Sequence, residues 1–238
     1  LRHTEERLRN MGYFKNVNVY AVRTEEESSC LEGNYRDVHV EVEETRTGNF
    51  GLFFGFSTVE SVFGGLNISE SNFNYKGLRS VWRDGPQALR GGGEYLHFTG
   101  TIGAKSRKYM ASWTKPHFMD TPWSVGIDLE RSNNRYISND YQINAWGLNL
   151  RATYEINAFL RLSWHYRIRN SDVDVDSDAP PSLQRQAKYA GIISASGVSL
   201  GYDSTNSIAR PTAGFRSRIE TEYAGLGGNY CFASLGYL

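Results

Sequence analysis

Apolar and polar residues alternate along most of this chain. From Gly48 onward the apolar positions recur at every second residue, as in Phe50, Leu52, Phe54 and Phe56. Side chains of a β-strand point alternately to two faces, so this period predicts strands that each have one apolar face. The same alternation predicts further strands near residues 62–68, 94–102, 108–115, 123–130, 146–153, 160–169, 198–202 and 218–223.

The segment 160–169 gives the sharpest version of this pattern. One predicted face is apolar throughout and consists of Leu160, Leu162, Trp164, Tyr166 and Ile168. The other face carries Arg161, Ser163, His165, Arg167 and Arg169. Charged groups cannot enter a dry core without partners. We therefore predict that the strand separates lipid from water, with the apolar set facing lipid and Arg161, His165, Arg167 and Arg169 facing an aqueous lumen.

The first part of the chain follows a different plan. Residues 5–11 have the character of a helix end that stops at Gly12, and alternation then predicts strands around 17–21 and 38–42, joined by a polar loop at 24–34. This order is typical of the tail of a small α/β module. We predict two domains, 1–46 and 47–238. Because the chain starts at Leu1 without Met and stops within an alternating stretch, we expect it to be a fragment.

The connections between predicted strands suggest a membrane barrel. Short turns are predicted at 72–76, 116–122 and 156–158, and longer polar loops at 133–142 and 170–188. Short turns at one end and long loops at the other are typical of bacterial outer-membrane barrels, as are aromatic residues such as Trp113, Phe118 and Trp123 near strand ends. A soluble β-sandwich alternates in the same way and remains an alternative on pattern alone.

Composition supports an all-β chain and argues against nucleic acid as a partner. The 238 residues include 26 basic and 26 acidic side chains, so there is no basic excess for a phosphate backbone. The 15 Tyr, 24 Gly and only 6 Pro favour strands. A mean hydropathy of −0.51 is compatible with a barrel, whose strands average lipid-facing and lumen-facing residues. Cys30 in a polar loop and Cys231 in a predicted strand are expected to be unpaired thiols.

No motif in the sequence predicts catalysis or a bound metal. Residues 197–201 match G-x-S-x-G, but that motif requires a strand-to-helix turn, whereas a strand continues here past Ser199. The alternating aspartates at 172–178 lack the glycine and the glutamate of a calcium loop. The glycine run at 91–93 lacks the Lys-Ser/Thr of a phosphate loop, so we interpret it as a turn or strand start. The five histidines show no metal-ligand spacing.

Several short motifs, in order along the chain, carry a family resemblance. Residues 8–17 (LRNMGYFKNV) resemble a stretch of a POTRA domain, and 38–44 its closing strand. Residues 48–57 look like a first barrel strand. The turn at 70–77, the TKPHF sequence at 114–118 and the YDSTNS…RPTAGFR sequence at 202–216 complete the series, although Thr205 and residues 208–210 depart from the family pattern. Together these motifs resemble the BamA family of outer-membrane assembly proteins.

The resemblance implies an all-β transmembrane antiparallel barrel, of which this chain holds about the first ten strands, preceded by the end of a POTRA domain. It implies a non-enzymatic protein without cofactors that inserts β-barrel proteins into the bacterial outer membrane. The N-terminal part would lie in the periplasm, and the partners would be unfolded outer-membrane proteins, periplasmic lipoproteins and the bilayer. A family member's first strand pairs weakly with its last and forms a lateral gate.

The strand assigned to that gate edge by resemblance comprises Asn49, Phe50, Gly51, Leu52, Phe53, Phe54, Gly55 and Phe56. Gly48, Gly51 and Gly55 are expected to weaken the strand, since interior glycines lack side chains for packing. The alternatives that the sequence leaves open are a TamA-like translocation factor, a two-partner secretion pore, a passive porin and an outer-membrane hydrolase built on Ser199.

Overall fold

The chain forms two compact units, residues 1–49 and 50–238. The computed structural model describes residues 1, 4–5, 8–9, 12–23, 36–58, 61–138, 141–175, 181–187, 190–206 and 212–237. Within these residues, no helix has the length and apolar character needed to cross a bilayer.

The first unit contains a helical segment and a two-stranded sheet. Residues 4–5 and 8–9 are helical, and the segment ends as predicted at Gly12, whose φ is 72° and whose amide donates to the Arg9 carbonyl at 3.1 Å. Strands β1 (Phe14–Arg23) and β2 (Arg36–Glu44) pair antiparallel, which confirms the two predicted strands. The predicted loop at 24–34 lies outside the described residues. The assignment of residues 1–46 to a POTRA domain stays a prediction.

A single antiparallel sheet of ten strands dominates the rest of the described chain. Every strand pairs with the strand that follows it in sequence, so the spatial order is the chain order. Its members are β3 (Gly48–Ser57), β4 (Ser61–Phe73), β5 (Glu94–Gly103), β6 (Ser106–Lys115), β7 (Trp123–Ser138), β8 (Tyr141–Glu155), β9 (Leu160–Val175), β10 (Gly191–Asp203), β11 (Arg216–Ala224) and β12 (Phe232–Tyr237). Each stretch that was predicted to alternate lies in one of these strands.

The connections do not show the predicted asymmetry. The strands run up and down between two ends of the sheet. We call the end at which β3 begins the near end and the other the far end. The near-end connections span 74–93, 116–122, 156–159 and 204–215, and the far-end connections span 58–60, 104–105, 139–140, 176–190 and 225–231. Long and short connections therefore occur at both ends, and the prediction of short turns at one end and long loops at the other was wrong.

Three individual loop predictions were also wrong. In the predicted loop 170–188, residues 170–175 belong to β9 and residues 181–187 form a helix. The polar stretch 133–142 is mostly strand, because β7 and β8 stay paired as far as Asn134 and Ile143 and again at Ser138 and Tyr141. The alternation pattern relies on apolar positions and missed this part of the strands, because the stretch consists mostly of polar residues. The predicted short turn at 72–76 is the start of a long connection with a 3-10 turn (Tyr75–Arg79), a short helix (Val81–Asp84) and a second 3-10 turn (Pro86–Leu89).

Two shorter elements complete the described structure, a 3-10 turn at Phe118–Asp120 and a helix at Pro181–Ala187. The sheet has little conventional core, because its buried apolar residues are Phe73, Ala145, Ala195 and Ala224. On β9, the strand with the sharpest predicted alternation, Leu162 and Trp164 remain partly exposed. The described residues of the second unit form this one sheet, so no other sheet of that unit packs on these side chains and the β-sandwich alternative finds no support here.

Candidate functional site: an edge strand and a two-faced sheet

The predicted gate strand lies at one edge of the sheet. β3, which contains Asn49–Phe56, pairs with β4 on one side, and no strand of the described part of the chain covers its other side. Alternate phenylalanines on β3 are strongly exposed, Phe54 at 81% and Phe56 at 84% of their surface. An exposed apolar edge strand is a template for pairing with another strand.

Aromatic rings and glycines interlock at the boundary between β3 and β4. The Phe63 ring occupies the space beside Gly55, where a Cβ would lie 2.5 Å from Phe63 Cζ. The Phe53 ring lies in the same way over Gly65. By contrast, a Cβ at Gly51 would meet nothing within 4 Å. The expectation that β3 glycines only weaken packing was therefore incomplete, since Gly55 accommodates a ring that ties β3 to β4.

One face of the sheet is apolar across nearly all strands. Directly paired residues of neighbouring strands lie on the same face. A row of such partners crosses the sheet from β4 to β9 as Ile68, Phe98, Ala111, Leu129, Leu148 and Ile168. A second row crosses from β7 to β12 as Trp123, Tyr154, Leu162, Leu200, Ile219 and Tyr237. The predicted lipid-facing residues Leu160, Leu162, Trp164, Tyr166 and Ile168 all belong to this face, and their contact with lipid stays a prediction.

Aromatic residues flank the apolar face at both ends. At the near end, the rings of Trp123 and Tyr154 are 5.0 Å apart, and Tyr202 lies between Phe159 and Phe215 at 6.4 and 6.3 Å. At the far end, Trp146 is exposed on the same face. Along β8, Trp146 and Tyr154 are separated by roughly 26 Å at about 3.3 Å per residue. The segment from Trp146 to Tyr154 is similar in length to the roughly 9–11 residues that a tilted transmembrane strand uses to cross a bilayer.

The opposite face carries polar pairs that reach across an intervening strand. His165 on β9 and Glu222 on β11 both pair in register with Gly197 of β10. The imidazole lies directly over Gly197, where a Cβ would clash with it, and its Nε2 is 2.9 Å from Glu222 Oε2. The missing side chain of Gly197 is what allows this contact to form. We call this arrangement a glycine-spanned pair.

Two further glycine-spanned pairs occur on the same face. Arg151 of β8 extends over Gly126 of β7 and donates from Nη2 to Thr114 Oγ1 of β6 at 3.2 Å. Glu130 of β7 lies over Gly147 of β8, and its Oε1 is 3.7 Å from Arg169 Nη1 of β9. In each case the glycine is the register partner of both side chains. Polar side chains thus link β6 to β8, β7 to β9 and β9 to β11.

Asp128 organises the centre of this polar face. It accepts hydrogen bonds from Ser112 Oγ at 2.6 Å and Asn149 Nδ2 at 3.0 Å. Arg151 donates to both of its oxygens, at 2.7 and 2.8 Å. These contacts join β6, β7 and β8, and bidentate arginine–carboxylate pairing is among the stronger polar contacts in proteins.

The predicted lumen-facing residues share this polar face, and the structure supplies partners that sequence reasoning missed. Arg167 Nη2 donates to Glu222 Oε1 at 2.6 Å, so Glu222 holds both His165 and Arg167. Arg161 lies 3.9 Å from Glu155. The missed partners are the carboxylates Glu130, Glu155 and Glu222, on strands whose register was unknown. Opposite charge at matching alternation on neighbouring strands is the signal that could have found them. Exposure of this face to an aqueous lumen stays a prediction.

The motifs that resembled chemistry occupy ordinary strand positions. Ser199 is buried in the middle of β10, paired with Ser163 and Glu220, and the strand continues to Asp203 without the turn that a nucleophile elbow needs. Asp172 and Asp174 lie in β9, while residues 176 and 178 lie outside the described part.

The cysteine and glycine-run predictions have mixed outcomes. Gly91 and Gly93 have positive φ of 91° and 65° in the connection before β5, which confirms a turn. Cys231 is exposed and immediately precedes β12, so its placement within a strand was wrong by one residue. Cys30 lies outside the described residues.

An antiparallel sheet with an aromatic-flanked apolar face, a charged opposite face and chain-order pairing defines a transmembrane β-barrel protein of the outer-membrane type. Comparison with known families agrees. Residues 89–238 match the Omp85 superfamily domain, and this chain belongs to that superfamily.

Two curated relatives match nearly the whole of this chain. The outer membrane protein assembly factor BamA of Nitratidesulfovibrio vulgaris strain Hildenborough is 27% identical over 226 residues, which cover 94% of this chain and 25% of the relative. BamA of Neorickettsia risticii strain Illinois is 23% identical over 231 residues, 96% of this chain and 28% of the relative. This chain therefore spans about a quarter of the length of these relatives.

Two solved structures align over essentially the whole chain. The crystal structure of BamA from Haemophilus ducreyi lacking POTRA domains 1-3 gives a TM-score of 0.66 at 12% identity, covering 99% of this chain and 44% of that one. CdiB from Acinetobacter baumannii gives a TM-score of 0.60 at 13% identity, covering 100% of this chain and 43% of that one. At these identities the likeness establishes the fold alone.

The glycine-spanned pair over Gly197 can be tested against a matched glycine. Gly197→Val should lower the free energy of unfolding by about 1–3 kcal/mol, because the new side chain displaces His165 from Glu222. Gly201→Val, on the same strand and face, should be neutral or stabilising, since a Cβ there meets nothing within 4 Å. Denaturant unfolding of the full-length protein in phospholipid vesicles measures both. Equal destabilisation by the two variants would contradict the assignment.

The role of Glu222 can be tested separately. Glu222→Ala should cost about 1–3 kcal/mol of unfolding free energy, because it leaves His165 and Arg167 without their acceptor. Glu220→Ala is the control on the same strand and face. Its carboxylate contacts Arg218 of its own strand, and both side chains are more than one third exposed, so we expect a change within about 0.5 kcal/mol. The same unfolding measurement applies, and an inert Glu222→Ala would show that the pairs contribute nothing.

Proposed function

We propose that the full-length protein containing this chain folds and inserts β-barrel proteins into the bacterial outer membrane, and that β3 is the edge on which a client strand pairs. The role is non-enzymatic. The first unit lies in the periplasm as the end of a POTRA domain, and the clients are unfolded outer-membrane proteins. Periplasmic lipoproteins are the proposed partner subunits.

The observation that carries this proposal is the exposed edge of β3. Backbone donors and acceptors that face lipid cost several kcal/mol each when they lack a partner. An incoming strand that adds to such an edge satisfies them by β-augmentation. The rings of Phe53 and Phe63 hold β3 to β4, which leaves its other edge for such pairing. The names of the two BamA relatives support the same function.

A second candidate is a related translocation or secretion pore. The fold resembles BamA of Haemophilus ducreyi and CdiB of Acinetobacter baumannii to similar extents, with TM-scores of 0.66 and 0.60. In such a pore the polar face, with its arginines and carboxylates, would line the path of an exported chain. The edge of β3 would then have no client.

The two candidates predict different cross-links. We expect a photoreactive phenylalanine analogue at Phe54, in the full-length protein in living cells, to form adducts with several newly made outer-membrane barrel proteins. The same analogue at Tyr166 is the control, because this residue lies on the same apolar face but inside the sheet between β8 and β10. Mass spectrometry of the adducts identifies the clients.

The pattern of adducts decides between the candidates. Adducts from position 54 but not 166 support client pairing at the edge. Adducts with one exported polypeptide, formed from polar-face positions such as Arg167 and absent from position 54, would replace the assembly proposal with the secretion pore.

A further inference from the structure

We propose that the near-end connection 74–93 is an interfacial membrane anchor, in which Leu78 and Trp82 enter the periplasmic leaflet and nearby basic side chains contact phospholipid headgroups. This inference rests on the proposed outer-membrane placement and adds a lipid-binding surface to it. The surface is defined by Leu78 and Trp82, flanked by Lys76, Arg79 and Arg83, and we call it the Trp82 surface.

The apolar residues of the Trp82 surface make little contact with the rest of the protein. Trp82 is 96% exposed and Leu78 is 55% exposed. They are four residues apart, Leu78 in the 3-10 turn Tyr75–Arg79 and Trp82 in the helix Val81–Asp84. Tryptophan in such a position is typical of the membrane–water interface, where an indole ring is favoured over either water or hydrocarbon.

The start of the connection is fixed to the apolar face of the sheet. Glu94, at the beginning of β5, is only 1% exposed and accepts hydrogen bonds from the Tyr75 amide at 3.1 Å, Trp113 Nε1 at 2.9 Å and Lys115 Nζ at 2.8 Å. Trp113 pairs with Leu96 and Ile127, so its side chain belongs to the apolar face. The Tyr75 ring is edge-on to that indole at 6.3 Å.

The rest of the connection is held as one compact unit. Its two halves touch at Gly77, where a Cβ would collide with the Ala88 carbonyl. The Asn74 amide donates to the Leu89 carbonyl at 2.8 Å, and the Gly91 amide to Asn72 at 2.8 Å. A segment built in this way keeps the Trp82 surface at the near end of the sheet, the end at which Trp123 and Tyr154 also lie.

The charges of the segment fit a phospholipid surface. Residues 75–84 carry three basic side chains, Lys76, Arg79 and Arg83, against the single acid Asp84, which gives a net charge of +2 within a chain whose total is zero. Exposed basic residues beside an indole and a leucine are the composition of an interfacial amphipathic segment. Each Lys or Arg near an anionic bilayer adds to its attraction. A phospholipid leaflet can therefore bury the apolar side chains and attract the basic ones.

Spin labels measure the depth of the Trp82 surface directly. In the full-length protein with its cysteines replaced, including Cys30→Ser and Cys231→Ser, single labels are attached at Trp82→Cys, Leu78→Cys and Gln87→Cys. Leu78→Cys retains Trp82, and Gln87 is an exposed polar control on the same connection. A label at Trp164→Cys reports on the apolar face. The protein is reconstituted in vesicles of phosphatidylethanolamine and phosphatidylglycerol, and accessibility to oxygen and to a water-soluble nickel chelate is recorded.

The expected result is an oxygen-to-nickel accessibility ratio several-fold higher at positions 78 and 82 than at 87, close to that at 164. A nickel-accessible position 82 beside an oxygen-accessible 164 would overturn the anchor while leaving the proposed membrane placement intact. Nickel access at both 82 and 164 would overturn both. Protection of position 82 from both reagents would show that protein covers the surface and would also overturn the anchor.

Discussion

Every strand in a lipid environment must find neighbouring strands for its backbone donors and acceptors, and this requirement organises the molecule. Strands β4 to β11 each have two neighbours, while β3 and β12 have one among the described residues. Because the backbone groups of the inner strands are paired, their side chains alone determine that one face of the sheet is apolar and the other polar. We propose that a client strand pairs with the backbone of β3, and the exposed phenylalanines of β3 present an apolar surface beside that edge.

The two faces achieve cohesion in different ways. On the apolar face, rows of leucine, isoleucine and aromatic side chains continue from strand to strand and end in aromatic residues at both ends. On the polar face, Asp128 binds an arginine of the neighbouring strand β8, and Glu222 binds His165 and Arg167 across the intervening strand β10. Removing one partner would leave the other charged group without its hydrogen bond, which lowers the stability of the folded protein. Glycines at Gly126, Gly147 and Gly197 give these long side chains room to cross a strand.

Alternation along the chain predicted the strands well, because a sheet with one apolar face repeats every second residue. It failed where that contrast disappears. The stretch 133–142 consists mostly of polar residues, so a loop was predicted where β7 and β8 continue. The connection 74–93 was missed because its helical turns are too short to show a helical period. Glu222 could not be assigned to His165 either, since the contact depends on the alignment of β9, β10 and β11, which no single strand reveals.

The glycine-spanned pairs have a consequence for how the strands find their correct alignment during folding. A slip of one residue between neighbours moves every side chain to the wrong face and is strongly disfavoured. A slip of two residues preserves the faces, so the apolar and polar pattern alone does not prevent it. If β10 slipped by two, Ala195 or Ser199 would lie beneath His165 in place of Gly197, and the imidazole would lose its route to Glu222. Glycine at these positions thus disfavours two-residue register shifts, which the alternation of apolar and polar residues alone would allow.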